Sequence, residues 1–411
     1  LDRLAGEGVR YANAFTNQPV CGPARAMMQT GKYCTEISCP TNHCMLPQDE
    51  KTIAHWLSEA GYDVGYIGKW HLASFGERGG PDDYRTRPVP LERRGGYTDF
   101  WLASDTLEFT SHGYDGHMFD SDGARRDFPE GRYRVDAQTD WALEYLDSRR
   151  GKQPFFLFLS YIEPHHQNDR HRYEGPTGSR ERWANYATPG DLIDAEGDWR
   201  EQYPDYLGCC NALDGALGRI YDKLESLGIA DNTVVIYTSD HGSHFCTRNS
   251  EYKRSCHDGC LRIPMVISGP GFSGGDVREG VSSLIDLPPT LLDIAGLKIP
   301  DYMRGRSLKG ADVGDDSSRP DDMFAQISES HIGRAVRTPR WTYEIGITYE
   351  EADQTPGPSQ STVYREAFLY DNEADPYQKN NLIASAAHAE VRDRLRERVL
   401  SYMRSIGEPE P

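Results

Sequence analysis

Apolar residues along this chain fall into two patterns. In the first they run together: Phe155-Phe156-Leu157-Phe158-Leu159, Val234-Val235-Ile236-Tyr237 and Met265-Val266-Ile267. Runs of this length predict strands covered on both faces, as in parallel sheets. Residues 62–67 predict a shorter strand of the same kind. In the second pattern apolar positions recur at helical spacing. Ala137, Trp141, Leu143 and Leu146 predict a helix over 135–149, and further helices are predicted from Pro23, over 52–57 up to Gly61, over 206–227 and from Asp286. Residues 1–5 read as the inside of a helix, and 73–135 show little periodicity and read as a long loop. Strands alternating with helices predict an α/β fold with a large, mainly parallel sheet. After an acidic linker at 310–322 the pattern changes. Strands are expected at 323–328, 334–337, 341–347 and 367–370, with an exposed hairpin loop at 351–360 and a last helix at 385–406. The expected organisation is therefore a domain over 1–320 and an α+β subdomain over 321–411, a small antiparallel sheet plus helix.

Charge and composition narrow the function classes. With a formal charge of −19 over 411 residues, the chain lacks the basic surface that a general nucleic-acid binder needs. No apolar run has the length needed to span a bilayer. Any site for an anion must be locally positive against this overall field. The nine cysteines include two loose groups, Cys34, Cys39 and Cys44 with His43, and Cys246, Cys256 and Cys260 with His257. Neither group has the paired spacing of a zinc module, so free thiols or one or two disulfides are expected.

The candidate chemistry begins at Cys21-Gly22-Pro23-Ala24-Arg25. Pro23 suits the first turn of a helix, which puts Cys21 at a helix N-terminus where unpaired amides favour an anion. Arg25, four residues on, shares its face. Lys69 and His71 follow a predicted strand, and extended geometry would turn both to one side. His165 follows the 155–159 run, and Asp240-His241 follows the 234–237 run, a carboxylate and an imidazole suited to a divalent cation. In open α/β sheets the ligand crevice lies beyond the strands' carboxyl ends, so these residues are expected to converge with Cys21.

The Cys-x-Pro-x-Arg pentad with Thr30-Gly31-Lys32 after it resembles the signature of the type I sulfatases, and Gly68-Lys69-Trp70-His71-Leu72 is similar to that family's second signature. Ala24 stands where Ser is commonest, and Asp240-His241 is a variant of the usual Asp-Asn. The resemblance implies an alkaline-phosphatase-like fold and hydrolysis of a sulfate monoester through Cα-formylglycine, made from Cys21 by a formylglycine-generating enzyme. It also implies a divalent cation, calcium or alternatively magnesium, held by Asp240, His241 and the modified Cys21. Arg25, Lys69 and Lys253 are then the charges that neutralise the sulfate; one cation at 4 Å is worth about 4 kcal/mol at an effective dielectric near 20. His165 is expected as the acid toward the leaving oxygen with Lys253 assisting, and His71 as the base. His166, Asp169, Arg170, His171, His257 and Asp258 are expected to contact the organic part of the substrate, a sulfated sugar. The aromatics Trp101, Tyr114, Phe119 and Tyr133, with His112 and His117, suit either a lid over that sugar or an ordered surface excursion. The family likeness further implies a periplasmic or secreted location.

One departure stands at the front. Family members carry an Asp-Asp pair upstream of the first helix seen here, and it has no counterpart in this sequence. The sequence is thus read as starting partway into its domain, with half a metal site, weak cation binding and low activity expected of it. Two other readings compete. One is a phosphonate or phosphate ester hydrolase of the same superfamily, the other a non-catalytic glycan-binding relative.

Overall fold

The computed structural model describes residues 1–149, 154–310, 321–353 and 357–411. Most of the expected 310–322 linker, and residues 354–356 of the expected hairpin loop, lie outside the described residues. The chain forms two compact units.

The first unit comprises Leu1–Arg3, His43–Ala187 and Asp198–Val235. Its sheet is built around the Asp63–Lys69 strand, every residue of which is buried. Phe100–Ser104 and Phe155–Ser160 flank it, both parallel to it. Asp115–Asp120 extends the sheet antiparallel to Phe100–Ser104. The 73–135 segment is therefore no loop: it supplies several strands of this sheet. Their polar spelling conceals them, as in Asp-Gly-His-Met-Phe-Asp, because the ladder with neighbouring strands supplies what local propensity lacks. Trp101, Phe119 and Tyr133 are correspondingly buried, and only Tyr114 of that aromatic set is exposed. Trp101 stacks on Tyr66 and meets Trp70 edge-on.

Two helices pack on this unit's core, Arg134–Ser148 and Trp199–Leu227. The second begins seven residues before the expected start at 206. Pro204 sits inside its second turn, and proline's usual bias against helix interiors hides those first residues. Phe155–Ser160 is less covered than its apolar spelling predicts. Its first five residues are half-buried, and it has one ladder neighbour among the described strands.

The second unit comprises Leu4–Asn42, Thr188–Gly197 and Ile236–Pro411. One of its sheets runs in the order Asp276–Ser283, Val9–Phe15, Met265–Ser268, Val235–Thr238. Val9–Phe15 and Asp276–Ser283, neither expected from the sequence, pair in parallel. The other sheet is fully antiparallel, Met323–Ile327, Ile332–Arg337, Trp341–Ile347 and Arg365–Asp371 in chain order. The Ala389–Ser405 helix lies over it with Leu395, Val399 and Met403 buried. Met27 joins the same core, which ties the Cys21–Thr30 helix to this sheet. Each such large apolar side chain removed from water is worth roughly 1.5–3 kcal/mol.

Candidate active site

Cys21 opens the Cys21–Thr30 helix and is buried. The residue before it, Val20, provides no side-chain cap. The cap comes from a distant loop instead: the Gly22 amide donates to Asn42 Oδ1 at 3.0 Å. Asn42 is itself held by Glu329, which accepts from its backbone amide and pairs with Arg254. Arg254 adjoins Lys253 in sequence. A continuous run of bonds thus links the helix start to the residue beside the lysine.

Around the thiol, Lys253 Nζ donates to Cys21 Sγ at 2.9 Å and His241 Nε2 lies 3.2 Å from the same sulfur. Lys253 Nζ and His241 Nε2 are 3.5 Å apart. His241 Nδ1 is 2.8 Å from the Gly242 carbonyl oxygen, so Nδ1 carries the proton and Nε2 offers its lone pair inward. Arg25 Nη2 is 3.2 Å from Asp240 Oδ2, and both side chains are largely buried. Burial opposes a charge on Lys253, but Cys21, Tyr252 and Asp240 outweigh it and hold the ammonium's pKa well above its ordinary value.

Cys21, Asp240 and His241 each bring a donor atom within 4.8 Å of the others. A carboxylate oxygen and an aimed imidazole nitrogen fit a divalent cation. Calcium takes about six to eight oxygen ligands, so Asp240 accounts for part of a shell, to which Cys21 would add an oxygen only as formylglycine. The two cysteine groups considered for zinc form no such cluster among the described residues.

The first unit holds a second gathering. Lys69 Nζ bonds Glu108 Oε1 at 2.8 Å, both buried, and His165 Nε2 stands 4.0 Å from that oxygen. His165 Nδ1 is fixed by the His166 carbonyl at 2.6 Å. The extended geometry expected of Lys69 to His71 stops short, because the strand ends at Lys69 and His71 is left-handed at φ 61°. The cause is Asp105, whose buried carboxylate receives the amides of Leu72, Ala73 and Ser74. His71 is 5% exposed, and neither ring nitrogen has a hydrogen-bond partner among the described residues. An imidazole so placed has its bonding capacity open.

His166, Asp169, Arg170 and His171 share the loop after Phe155–Ser160. Asp169 bonds His112 and Gln167, Arg170 bonds Glu174, and burial pushes the His166 pKa below its ordinary value. His257 and Asp258 have different surroundings. His257 is buried with Nε2 on the Tyr370 hydroxyl at 3.0 Å, and both oxygens of Asp258 engage Arg337. Asp258 is thus used within the fold, whereas His257 Nδ1 is buried with no hydrogen-bond partner among the described residues. Sequence reasoning missed Asn42, Asp105, Glu108 and Glu329. Only Asp105 carried a usable signal, as the acid directly after a strand whose own polar neighbours hid it.

The sulfatase family profile matches residues 1–297. This chain belongs to the sulfatase family. Its fold is the alkaline-phosphatase-like one, and the family's enzymes hydrolyse sulfate esters, generally with a metal ion and a formylglycine. This sulfatase is 29% identical over 432 residues to an ulvan-active sulfatase of Formosa agariphila, spanning 99% of this chain and 76% of that one. It is 25% identical to an N-acetylglucosamine-6-O-sulfatase of Bacteroides thetaiotaomicron, spanning 100% and 82%. A solved Bacteroides thetaiotaomicron structure, described with the metabolism of multiple glycosaminoglycans, superimposes with a TM-score of 0.82 at 26% identity, covering 99% of this sulfatase and 89% of that chain. No described helix of the sulfatase is long and apolar enough to cross a membrane.

Proposed function

We propose that this chain removes sulfate from a sulfated carbohydrate, with Cys21 as the position converted to formylglycine by a formylglycine-generating enzyme and calcium as the cation. The observation that carries this reading is the close approach of Lys253 Nζ and His241 Nε2 to Cys21 Sγ. When present, formylglycine supplies a hydrated aldehyde as nucleophile and the cation supplies charge for the sulfate oxygens. Asp240 and His241 would hold that cation. Arg25 and Lys253 offset the repulsion an anionic ester meets on approach, and both keep their charge in a buried setting. His165, its tautomer set by the His166 carbonyl, delivers a proton to the leaving oxygen, with Lys253 assisting. His71 accepts the proton released when the enzyme is restored, and Lys69 with Glu108 serves the same reaction. The sugar class is supported by the ulvan and N-acetylglucosamine-6-sulfate relatives. A periplasmic or secreted location follows from that substrate class. The division into a catalytic domain at 1–320 and a C-terminal subdomain at 321–411 belongs to the same proposal.

The test is free sulfate released from sulfated oligosaccharides, beside matched phosphonate and phosphate esters. Sulfate release is expected to exceed hydrolysis of the other two, and to fall on chelation and return with calcium ahead of magnesium. Hydrolysis of the phosphonate alone would overturn the reading.

A further expectation concerns Glu329. Glu329→Gln keeps an acceptor for the Asn42 amide but loses the ionic hold on Arg254, and Glu329→Ala loses both. Because a small displacement of a reacting group costs heavily, kcat is expected to fall about tenfold in the first and about 10²-fold in the second. KM should stay near its original value, and a steady-state comparison of the three proteins checks it.

A further inference from the structure

The loop that carries His165 leads to a hollow of about 250 Å³ in the same unit. Arg170, Arg172 and Arg180 line it with Tyr114, Asp115, Glu174 and Asp205. The charges are layered. Glu174 and Asp205 lie low, with side chains 9% and 12% exposed, whereas Arg172 and Arg180 above them are 49% and 57% exposed. Glu174 Oε1 accepts from Arg170 at 2.8 Å and from Arg172 at 3.0 Å, and Asp205 accepts from Arg180 at 2.6 Å. The carboxylates thus hold the guanidiniums in place from beneath, and each fork keeps donors for a ligand above. Tyr114 stands at the side as a fixed aromatic plate. Its hydroxyl accepts from the Thr177 amide at 2.8 Å, and its ring packs against Tyr133. Residues 170–182 carry four arginines against two acids, Glu174 and Glu181, a locally positive stretch in a chain whose net charge is −19. A bonded path joins the hollow to His165's loop, running from Gln167 to Asp169, His112 and Asp115.

We propose that this hollow is an outer subsite that binds a second anionic sugar unit of the polymer, its ring against Tyr114 and its carboxylate or sulfate on the exposed forks of Arg172 and Arg180. The inference rests on the sulfated-carbohydrate reading above. The volume suits about one pyranose, and an aromatic face beside orienting polar groups is the ordinary build of a small-ligand site. The subsite makes the enzyme favour longer anionic chains over short esters.

The test uses the full chain and the double variant Arg172→Ala/Arg180→Ala, two exposed side chains, with a urea titration beside it because Asp205 loses its Arg180 partner. Three substrates are compared: a small aryl sulfate, a sulfated disaccharide and a sulfated hexasaccharide. The KM for the hexasaccharide is expected to rise about tenfold or more, the worth of one or two charge-assisted bonds, with kcat and aryl sulfate turnover unchanged. An unchanged hexasaccharide KM, or an equal loss on the aryl ester, would overturn the subsite. Calorimetric binding of two hexasaccharides, one carrying only uronate carboxylates and one only sulfates, tells which anion the forks prefer. Weakening of either by the double variant supports the subsite; equal binding of both by parent and variant overturns it. The two levels of inference separate cleanly. A parent protein that releases no sulfate from any ester defeats the functional reading, whereas sulfate release without dependence on Arg172 and Arg180 defeats the subsite alone.

Discussion

Cys21→Ala is expected to lower kcat/KM for sulfate release by roughly 10⁴- to 10⁶-fold, the range seen when a covalent nucleophile is deleted. Alanine keeps the helix start, because the Gly22 amide still reaches Asn42 and no side-chain cap at Val20 is at stake. The loss should therefore appear in turnover while the unfolding transition barely moves. Lys253 loses in Cys21 the first of the groups that hold its charge against burial, while Arg25 keeps its partner Asp240. Binding of a sulfated oligosaccharide to the variant should accordingly weaken far less than turnover does. Mass analysis of the peptide that contains Cys21 supplies the independent check, with an aldehyde in the active parent. Full activity in the alanine variant, or only an unmodified thiol in an active preparation, would remove the basis of the proposed chemistry.

The second large effect is on stability. Arg334→Met is expected to destabilise the protein by about 3–5 kcal/mol, because it leaves the Glu408 carboxylate buried without its counter-charge. Both side chains of this pair are only 1% exposed. Arg334 Nη2 donates to Glu408 Oε1 at 3.0 Å and to the Ser359 carbonyl at 2.7 Å, and the same Glu408 oxygen accepts from Gln326. Burial opposes the charge on Arg334, yet Glu408 and the tyrosines around it keep the guanidinium's pKa above its ordinary value. The pair joins the Ile332–Arg337 strand to the segment after the Ala389–Ser405 helix, so its loss should release the chain end from the sheet. A urea titration reads this as a lower midpoint. The double replacement Arg334→Met/Glu408→Leu should recover most of the loss, since an apolar pair of similar volume needs no counter-charge. A midpoint unchanged by the single replacement would contradict this account.

Much of the fold was legible because its strands are spelled in apolar runs. Met265–Ser268 and Trp341–Ile347 lie where those runs are, and the Arg134–Ser148 helix follows its 3.6-residue spacing. Phe100–Ser104 and Asp115–Asp120 were hidden because pairing, rather than their own residues, makes them strands. Val9–Phe15 was hidden by Asn13, which breaks the alternation that Val9, Arg10 and Tyr11 begin. At the candidate site, the structure gathers Cys21, Arg25, Asp240, His241 and Lys253 in one unit. Their motif neighbours made them visible in one dimension. Asn42 and Glu329 had no such marker, since they are 287 residues apart and meet only in the folded chain. His71 departs from extended geometry because of Asp105, an acid 31 to 33 residues beyond the Leu72 and Ser74 amides it receives, too far along for the local pattern to show.

The half-covered Phe155–Ser160 and Val235–Thr238 strands bear on how the protein behaves in bulk. Each closes one side of its sheet, and among the described residues nothing continues the ladder beyond it. Such a margin accepts any extended apolar segment, and in a concentrated solution the most abundant one is carried by another copy. Clouding that grows with protein concentration is the macroscopic form of such margins.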